Sequence, residues 1–243
     1  MNPFQEAAAE NLRRLSANPY PGRGIVLGLS EDGRTLVQLY WIMGRSENSR
    51  NRRFVEEDGV LRTRPVDLSK VADPSLIIYA AMREVGGHFI VTNGDQTDTI
   101  SDAIAAGGSY VDALRTREHE PDAPNWTPRI SGGMEVRRGL QRAWMAIIKA
   151  DPAAPNRSVR EFFEYTEFSA GYGVCLTTYE GDGDPLPSYV GEPRPVPLTG
   201  DAARLGQTYW DLLDGNNRIS LAARLIDLAG GGSRTTIINR FAP

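Results

Sequence analysis

The run GIVLGLSEDGRTLVQLYWIM, residues 24–43, carries the clearest structural signal in the chain. Residues 24–30 and 35–43 are rich in Val, Leu, Ile, Tyr and Trp, the types that suit a pleated, half-buried surface. Between them Glu31, Asp32, Gly33 and Arg34 make a short polar connection containing Asp-Gly, so the two runs read as a β-hairpin. A sheet is therefore the starting point, and the flanking segments decide what packs on it.

Upstream, Asn18, Pro19, Tyr20, Pro21 and Gly22 form a turn cluster, preceded by an amphipathic helix over residues 1–14 with Glu6, Glu10, Arg13 and Arg14 interspersed. Downstream, residues 45–53 (RSENSRNRR) are too polar for a core and read as a loop or surface ribbon. Residues 76–83 read as a strand or short helix after Asp73-Pro74, and residues 88–92 as a strand before Asn93-Gly94. Ile100, Ala103, Ile104, Val111 and Leu114 fall at partly helical spacing, interrupted by Gly107-Gly108, which predicts one helix or two short ones. Residues 118–128 are a proline-rich polar loop. Residues 136–149 fit a strand or a helix stopped by Asp151-Pro152, and their length favours the helix.

Residues 171–179 read as a strand, and residues 181–197 (GDGDPLPSYVGEPRPVP) as an extended, turn-rich cover. Residues 201–213 and 219–228 read as helices, the second stopped by Gly230-Gly231-Gly232, and residues 235–241 as a last strand. Strands with grouped helices favour an α+β fold, sheets sandwiched by helices, over a βαβ alternation. The expectation is one domain over residues 1–243, with residues 1–17 as a helical extension.

With 243 residues, 40% of them hydrophobic, the chain can bury a sizeable core. The 27 Lys+Arg against 31 Asp+Glu give a formal charge of −4, which argues against charge-driven binding to nucleic acid. No apolar run approaches the ~18–20 residues that span a bilayer, and the opening helix does not read as a signal peptide. The lone cysteine, Cys175, has no partner for an internal disulfide and reads as a small hydrophobe in a strand, in keeping with a reducing cytoplasm. His88 reads as core and His119 as exposed; neither lies in an HExxH or CxxC setting, so no metal or other cofactor is expected. There is no GxxxxGK[ST] loop, Gly22, Gly24 and Gly28 have the wrong spacing for GxGxxG, and GxSxG is absent. Asn2 after Met1 supplies no N-terminal nucleophile.

Four stretches in order resemble the archaeal-type IMP cyclohydrolases: Tyr20-Pro21-Gly22-Arg23; Tyr40 with Arg45-Ser46 and Asn51-Arg52; residues 91–100 (VTNGDQTDTI); and Glu120-Pro121-Asp122 with Asn125 and Thr127-Pro128-Arg129-Ile130. The resemblance covers roughly residues 20–130 and continues loosely through Gly171-Tyr172-Gly173 and Thr178-Tyr179. The chain departs from the short family pattern in its preceding helix, in a lengthened loop between Arg45-Ser46 and Asn51-Arg52, in Trp126, and in the proline-rich segment after Tyr179. The resemblance implies an αββα fold similar to that of N-terminal nucleophile hydrolases. It also implies closure of 5-formamidoimidazole-4-carboxamide ribonucleotide to inosine monophosphate, without a cofactor, by a homo-oligomer. The partner is then a small purine ribonucleotide, not nucleic acid or a membrane.

Under that resemblance Arg23, Arg45 and Arg52 would grip the 5′-phosphate, because a planar guanidinium meets a phosphate through two parallel charge-assisted hydrogen bonds. Ser46 and Asn51 accompany them; read by itself, the arginine-rich run is a solvated loop pairing with Glu56, Glu57 and Asp58. Thr92, Asn93 and Gly94 would face the base or a developing oxyanion, with Thr97, Asp98 and Thr99 capping the next helix; alone, these are an ordinary turn and cap. Glu120 and Asp122 are the acid/base pair, Glu120 first, with Asn125 and Arg129 orienting the carboxamide or the acid, against the plainer reading of exposed loop acids. Tyr40 and Tyr20 would donate a phenolic proton or stack on the imidazole, although a strand tyrosine such as Tyr40 is commonly only half-buried. Two rival activities remain: an amide hydrolase of the same fold, and a non-catalytic purine-nucleotide-binding regulator.

Overall fold

The computed structural model of the chain describes residues 2–71 and 78–241. Helix α1 (Pro3–Ala17) starts from a reciprocal cap in which the Asn2 side chain accepts from the Gln5 N–H and the Gln5 side chain accepts from the Asn2 N–H. The hairpin follows as β1 (Gly24–Leu29) and β2 (Thr35–Met43), then a single turn of helix, α2 (Glu47–Arg50). Next come β3 (Arg53–Glu57), β4 (Val60–Arg64), β5 (Ala80–Val85) and β6 (His88–Thr92). Two short helices, α3 (Gln96–Ala105) and α4 (Tyr110–Arg115), are separated by Gly107-Gly108. The long strands β7 (Arg129–Val136), β8 (Leu140–Asp151) and β9 (Ala154–Tyr165) follow, then β10 (Tyr172–Thr177) and β11 (Arg194–Pro197). Helix α5 (Leu205–Leu212) precedes β12 (Arg218–Asp227) and β13 (Ser233–Asn239).

Among the described residues the strands form two sheets, one of six in the order β11-β10-β1-β2-β12-β13 and one of seven in the order β3-β4-β5-β6-β7-β8-β9. Alternation along β2 shows how they pack. Leu36, Tyr40 and Ile42 join Ile25, Leu27, Phe89, Val91, Ile130 and Met134 in the core between the sheets. Val37, Leu39, Trp41 and Met43 point the other way, onto Leu15 of α1 and Leu205, Tyr209 and Trp210 of α5. Ile100, Tyr110 and Leu114 of α3 and α4 cover Ile90, Trp144 and Ile148 on the far face of the second sheet. The layers are thus helices, sheet, sheet, helices. Gln38, on the inner face of β2, bridges them by donating to the Phe89 carbonyl at 2.8 Å.

Two predicted helices are strands. Residues 136–149 contain the β7–β8 turn and the first part of β8, and residues 219–228 are β12. Every residue from Ile219 to Ile226 is buried, Ser220 and Arg224 included, so β12 is covered on both faces and loses the period of two that marks a half-exposed strand. Strands β3, β4 and β9 lie where no strand was expected. Thr97, Asp98 and Thr99 lie inside α3 and do not cap it. The predicted element over residues 76–83 begins outside the described residues and ends in β5.

Candidate functional site

Because β1 runs antiparallel to both β2 and β10, the start of β1 and the ends of β2 and β10 meet at one edge of the sandwich. The loop that leads into β7 closes over the same edge. A cavity of about 320 Å³ lies there, lined by Tyr20, Arg23, Arg45, Ser46, Asn48, Ser49, Arg52, Glu120, Asp122, Asn125, Thr127, Tyr179 and Leu186. Arg23 is locked to Thr178: its N–H donates to Thr178 Oγ1 at 3.1 Å and its carbonyl accepts from the Thr178 N–H at 2.9 Å. Gly22 makes this approach possible, since it has φ +74° and a Cβ there would lie 2.1 Å from Thr178 Oγ1.

Arg23 and Arg52 form the floor. The Arg23 side chain is only 11% exposed and its Nη2 donates to Glu120 Oε2 at 3.4 Å, while no acceptor among the described residues meets its buried Nε. Arg52 donates Nε to the Ser49 carbonyl at 2.9 Å and Nη2 to the Met43 carbonyl at 3.3 Å. Arg45 stands at the mouth with a side chain 37% exposed, above the Tyr20 ring at 4.9 Å and paired with Asp182. The Tyr20 and Tyr179 rings stack at 6.0 Å with a 19° tilt. Asn125 Oδ1 accepts from the Leu186 N–H at 3.1 Å, which ties the proline-rich segment over the cavity. Of residues 181–197, Leu186 lines the cavity and Asp182 pairs with Arg45 at its mouth, and the segment ends in β11.

Three guanidinium groups and two carboxylates line this space, and the balance is positive. Burial lowers the Arg52 pKa, and the neighbouring Arg23 charge lowers it further. Burial would also lower Arg23, but Glu120, then Tyr179, Tyr79 and Tyr40, outweigh it and hold the guanidinium well above its usual value. The Glu120 carboxyl is raised by burial, with Arg23, Arg129 and Arg52 pulling it down and Asp122 adding to the rise. Burial lifts the Tyr179 phenol to about 12, so it is neutral at physiological pH.

Asp122 has both oxygens engaged by one residue, accepting from the Thr127 N–H at 2.7 Å and from Thr127 Oγ1. It lines the cavity as an anchor for Thr127, which contacts Tyr179 Oη at 2.7 Å.

Several expected site residues lie outside the cavity lining. Tyr40 is fully buried in the inter-sheet core with its hydroxyl 2.7 Å from that of Tyr79. Asn51 clamps the Asp67 backbone, donating to its carbonyl and accepting from its N–H, both at 2.7 Å. Thr92 Oγ1 bonds Gly94 and Thr97, and Asn93 Oδ1 accepts from the Ile130 N–H at 2.8 Å while its Nδ2 donates to the Pro128 carbonyl at 2.9 Å. Arg129 donates to Asp95 at 2.7 Å, to Gln96 at 3.0 Å and to the Glu118 carbonyl at 2.8 Å. Asn93 and Arg129 thereby brace the loop carrying Glu120, through Pro128, Ile130 and Glu118, and the field of Arg129 reaches that acid. Ser46 lines the cavity and also caps α2, with Ser49 returning the cap.

The polar run 45–53 is not wholly solvated, since Asn51 and Arg52 are buried. Glu120 is buried, not an exposed loop acid. His119 is buried too, its Nδ1 2.8 Å from Ser158 Oγ and its ring edge-on to Trp126 at 5.6 Å. His88 is only partly buried and stacks on Trp144. Thr127 and Leu186 join the lining without having been expected as site residues, while Tyr179, which by sequence could equally be a phenolic donor, a stacking ring or a half-buried strand residue, lines the cavity; Thr127 stands inside a quoted family-like stretch, which was the available signal. A neighbouring cavity of about 460 Å³ lies between α1 and β10–β11, but its Arg194 is neutralised by Glu180 through contacts of 2.9 and 2.8 Å.

Fold and site together define an α+β protein with a cationic, small-molecule-sized cavity at a sheet edge. The chain belongs to the family described as IMP cyclohydrolase-like protein, whose pattern matches residues 20–231. A protein of Methanococcus maripaludis strain C7 named IMP cyclohydrolase is 36% identical over 116 residues, 46% of this chain and 56% of that protein. The Methanopyrus kandleri protein of the same name is 34% identical over 116 residues, 46% of this chain and 57% of the other. The chain thus spans a little over half the length of these curated relatives. A Halobacterium salinarum IMP cyclohydrolase is 31% identical over 147 residues, 58% of this chain and 69% of that protein.

Proposed function

We propose that the protein is an IMP cyclohydrolase, a hydrolase acting on a cyclic amidine, which closes 5-formamidoimidazole-4-carboxamide ribonucleotide to inosine monophosphate with loss of water. The observation that carries this reading is that Arg23, Arg45 and Arg52 share one cavity with the buried Glu120. The volume lies at the lower end of the range for ligand pockets, which suits a mononucleotide.

In this reaction the carboxamide nitrogen attacks the formyl carbon, and the resulting carbinolamine loses water. Both groups sit on one ring, so the substrate itself supplies most of the proximity. What remains for the protein is to hold the formamide in its reactive rotamer, move protons, and stabilise charge on the formyl oxygen. Arg45 and Ser46 at the mouth suit the 5′-phosphate, with Arg52 behind them. Arg23, buried with an unengaged Nε, suits the developing oxyanion, and Glu120 beside it suits proton transfer.

An amide hydrolase would need an activated nucleophile. The Thr127 hydroxyl is tied to Asp122, and His119 faces Ser158 outside the cavity, which favours ring closure. The layering of helices around two sheets supports likeness to the N-terminal nucleophile hydrolase fold, and cytoplasmic location and homo-oligomerisation belong to the same reading. The test is to incubate purified protein with the formylated ribonucleotide, chelator present, and follow inosine monophosphate by absorbance. Product above the uncatalysed rate is expected. Its absence would remove the assignment, and tight inosine monophosphate binding without turnover would replace it with the regulatory reading.

A further inference from the structure

The order of hydrogens along one buried chain of contacts follows from valence alone. Asp122 has no proton to give when ionised, so the contact between its Oδ2 and Thr127 Oγ1 takes the single Thr127 hydroxyl proton. Thr127 Oγ1 then has only lone pairs for its second partner, Tyr179 Oη at 2.7 Å, and Tyr179 must donate. The Tyr179 oxygen is left with no proton for the cavity it lines and can act there only as an acceptor.

We propose that Tyr179 is a specificity-determining residue of this cavity, set as an acceptor by Thr127 and Asp122, and that it reads a hydrogen-bond donor on the nucleotide. The inference rests on the ring-closing reading for the identity of that donor: the substrate carboxamide NH2, and in the product the N1–H that descends from it. Tyr179 belongs with the heterocycle and not with the phosphate, because it is almost fully buried and lies within the electrostatic reach of Arg23 and Glu120 on the floor. A ligand presenting an acceptor at that edge meets a lone pair opposite a lone pair, and a buried mispaired polar contact of this kind is unfavourable.

The polarity is reversible by one isosteric change. In Asp122→Asn the amide oxygen still accepts from the Thr127 N–H, but the amide NH2 now donates to Thr127 Oγ1. The Thr127 proton turns to Tyr179, and the Tyr179 proton turns into the cavity. The probes are inosine monophosphate, with a donor at N1, and adenosine monophosphate, with an acceptor there. Their affinities are measured by calorimetry for the wild type, Asp122→Asn, Thr127→Val, Tyr179→Phe and the Asp122→Asn/Tyr179→Phe double variant. Contacts at the exocyclic atom are common to all five and cancel in the ratio of ratios.

The wild type is expected to prefer inosine monophosphate. Asp122→Asn should swing the affinity ratio toward adenosine monophosphate by roughly tenfold, the scale of one mispaired buried hydrogen bond. Thr127→Val, which unties the phenol, should give an intermediate ratio, and Asp122→Asn should produce no swing once Tyr179 is Phe. An unchanged ratio in Asp122→Asn, or a swing that persists without the phenol, overturns the inference. Should Asp122→Asn fail to fold, Thr127→Val decides: an unchanged ratio overturns the inference and a narrowed one supports it. Turnover on the formylated substrate is scored separately. Turnover without a swing ends this inference alone, and a swing without turnover ends the ring-closing reading alone.

Discussion

Arg45 and Glu120 occupy opposite ends of one cavity, and the difference in their surroundings separates their expected effects. Arg45 is half open to solvent and held by Asp182 across the mouth, so it can exchange that carboxylate for a phosphate without unfolding anything. Arg45→Ala should raise KM about tenfold or more, the scale of a lost charge-assisted hydrogen bond, with kcat nearly unchanged in steady-state kinetics. Glu120 is buried, and its carboxyl holds its proton to higher pH than an ordinary carboxylate. For a carboxyl raised on folding, the native state binds more protons than the unfolded chain. The associated stability is therefore present at low pH and lost as pH rises from about 4.3 through the raised native value. The same ionisation should appear as a limb in the kcat–pH profile above about pH 4.3. Glu120→Gln should remove that limb and lower kcat about a hundredfold; unchanged turnover would contradict the assignment. The family resemblance pointed to Glu120, Arg23, Arg45 and Arg52, and these four line one cavity. The resemblance could not separate residues that line the space from those, like Asn93 and Arg129, whose hydrogen bonds brace the loop behind it.

At the level of strands and helices, the hairpin of β1 and β2 was readable because an Asp-Gly connection joins two apolar runs. The same Asp-Gly signal stands at Asp58-Gly59 between β3 and β4, both with positive φ, and it marks a second hairpin among residues too polar to attract a strand reading. Strand β12 failed for the opposite reason, since burial on both faces erases its period. Pairing of β1 with β10 sets the geometry of the cavity edge, and it depends on a glycine pair. Gly28 faces Gly173, and a Cβ on Gly28 would lie 2.5 Å from both the Gly173 Cα and the Tyr172 carbonyl oxygen. Those atoms are backbone and cannot swing aside. Gly28→Ala should cost about 3 kcal/mol in denaturant unfolding, at the upper end for overpacking, and a loss under 0.5 kcal/mol would show that the sheet relaxes freely there.

Across the whole molecule, a net charge of −4 coexists with a cavity whose own balance is positive. Composition argued against nucleic acid as a partner, and it could not show where the arginines gather. They gather because antiparallel pairing brings the start of β1, the end of β2 and the end of β10 to one edge, and the β7 loop adds the carboxylates there. That convergence is three-dimensional and has no trace in a charge count. The most direct measurement is a crystal structure of the protein with inosine monophosphate. The phosphate should be held by Arg45 and Ser46, and the hypoxanthine should lie inward against Glu120 with its N1–H on Tyr179 Oη. A nucleotide seated instead in the neighbouring cavity beside α1, or with its base turned out to solvent, would contradict the account.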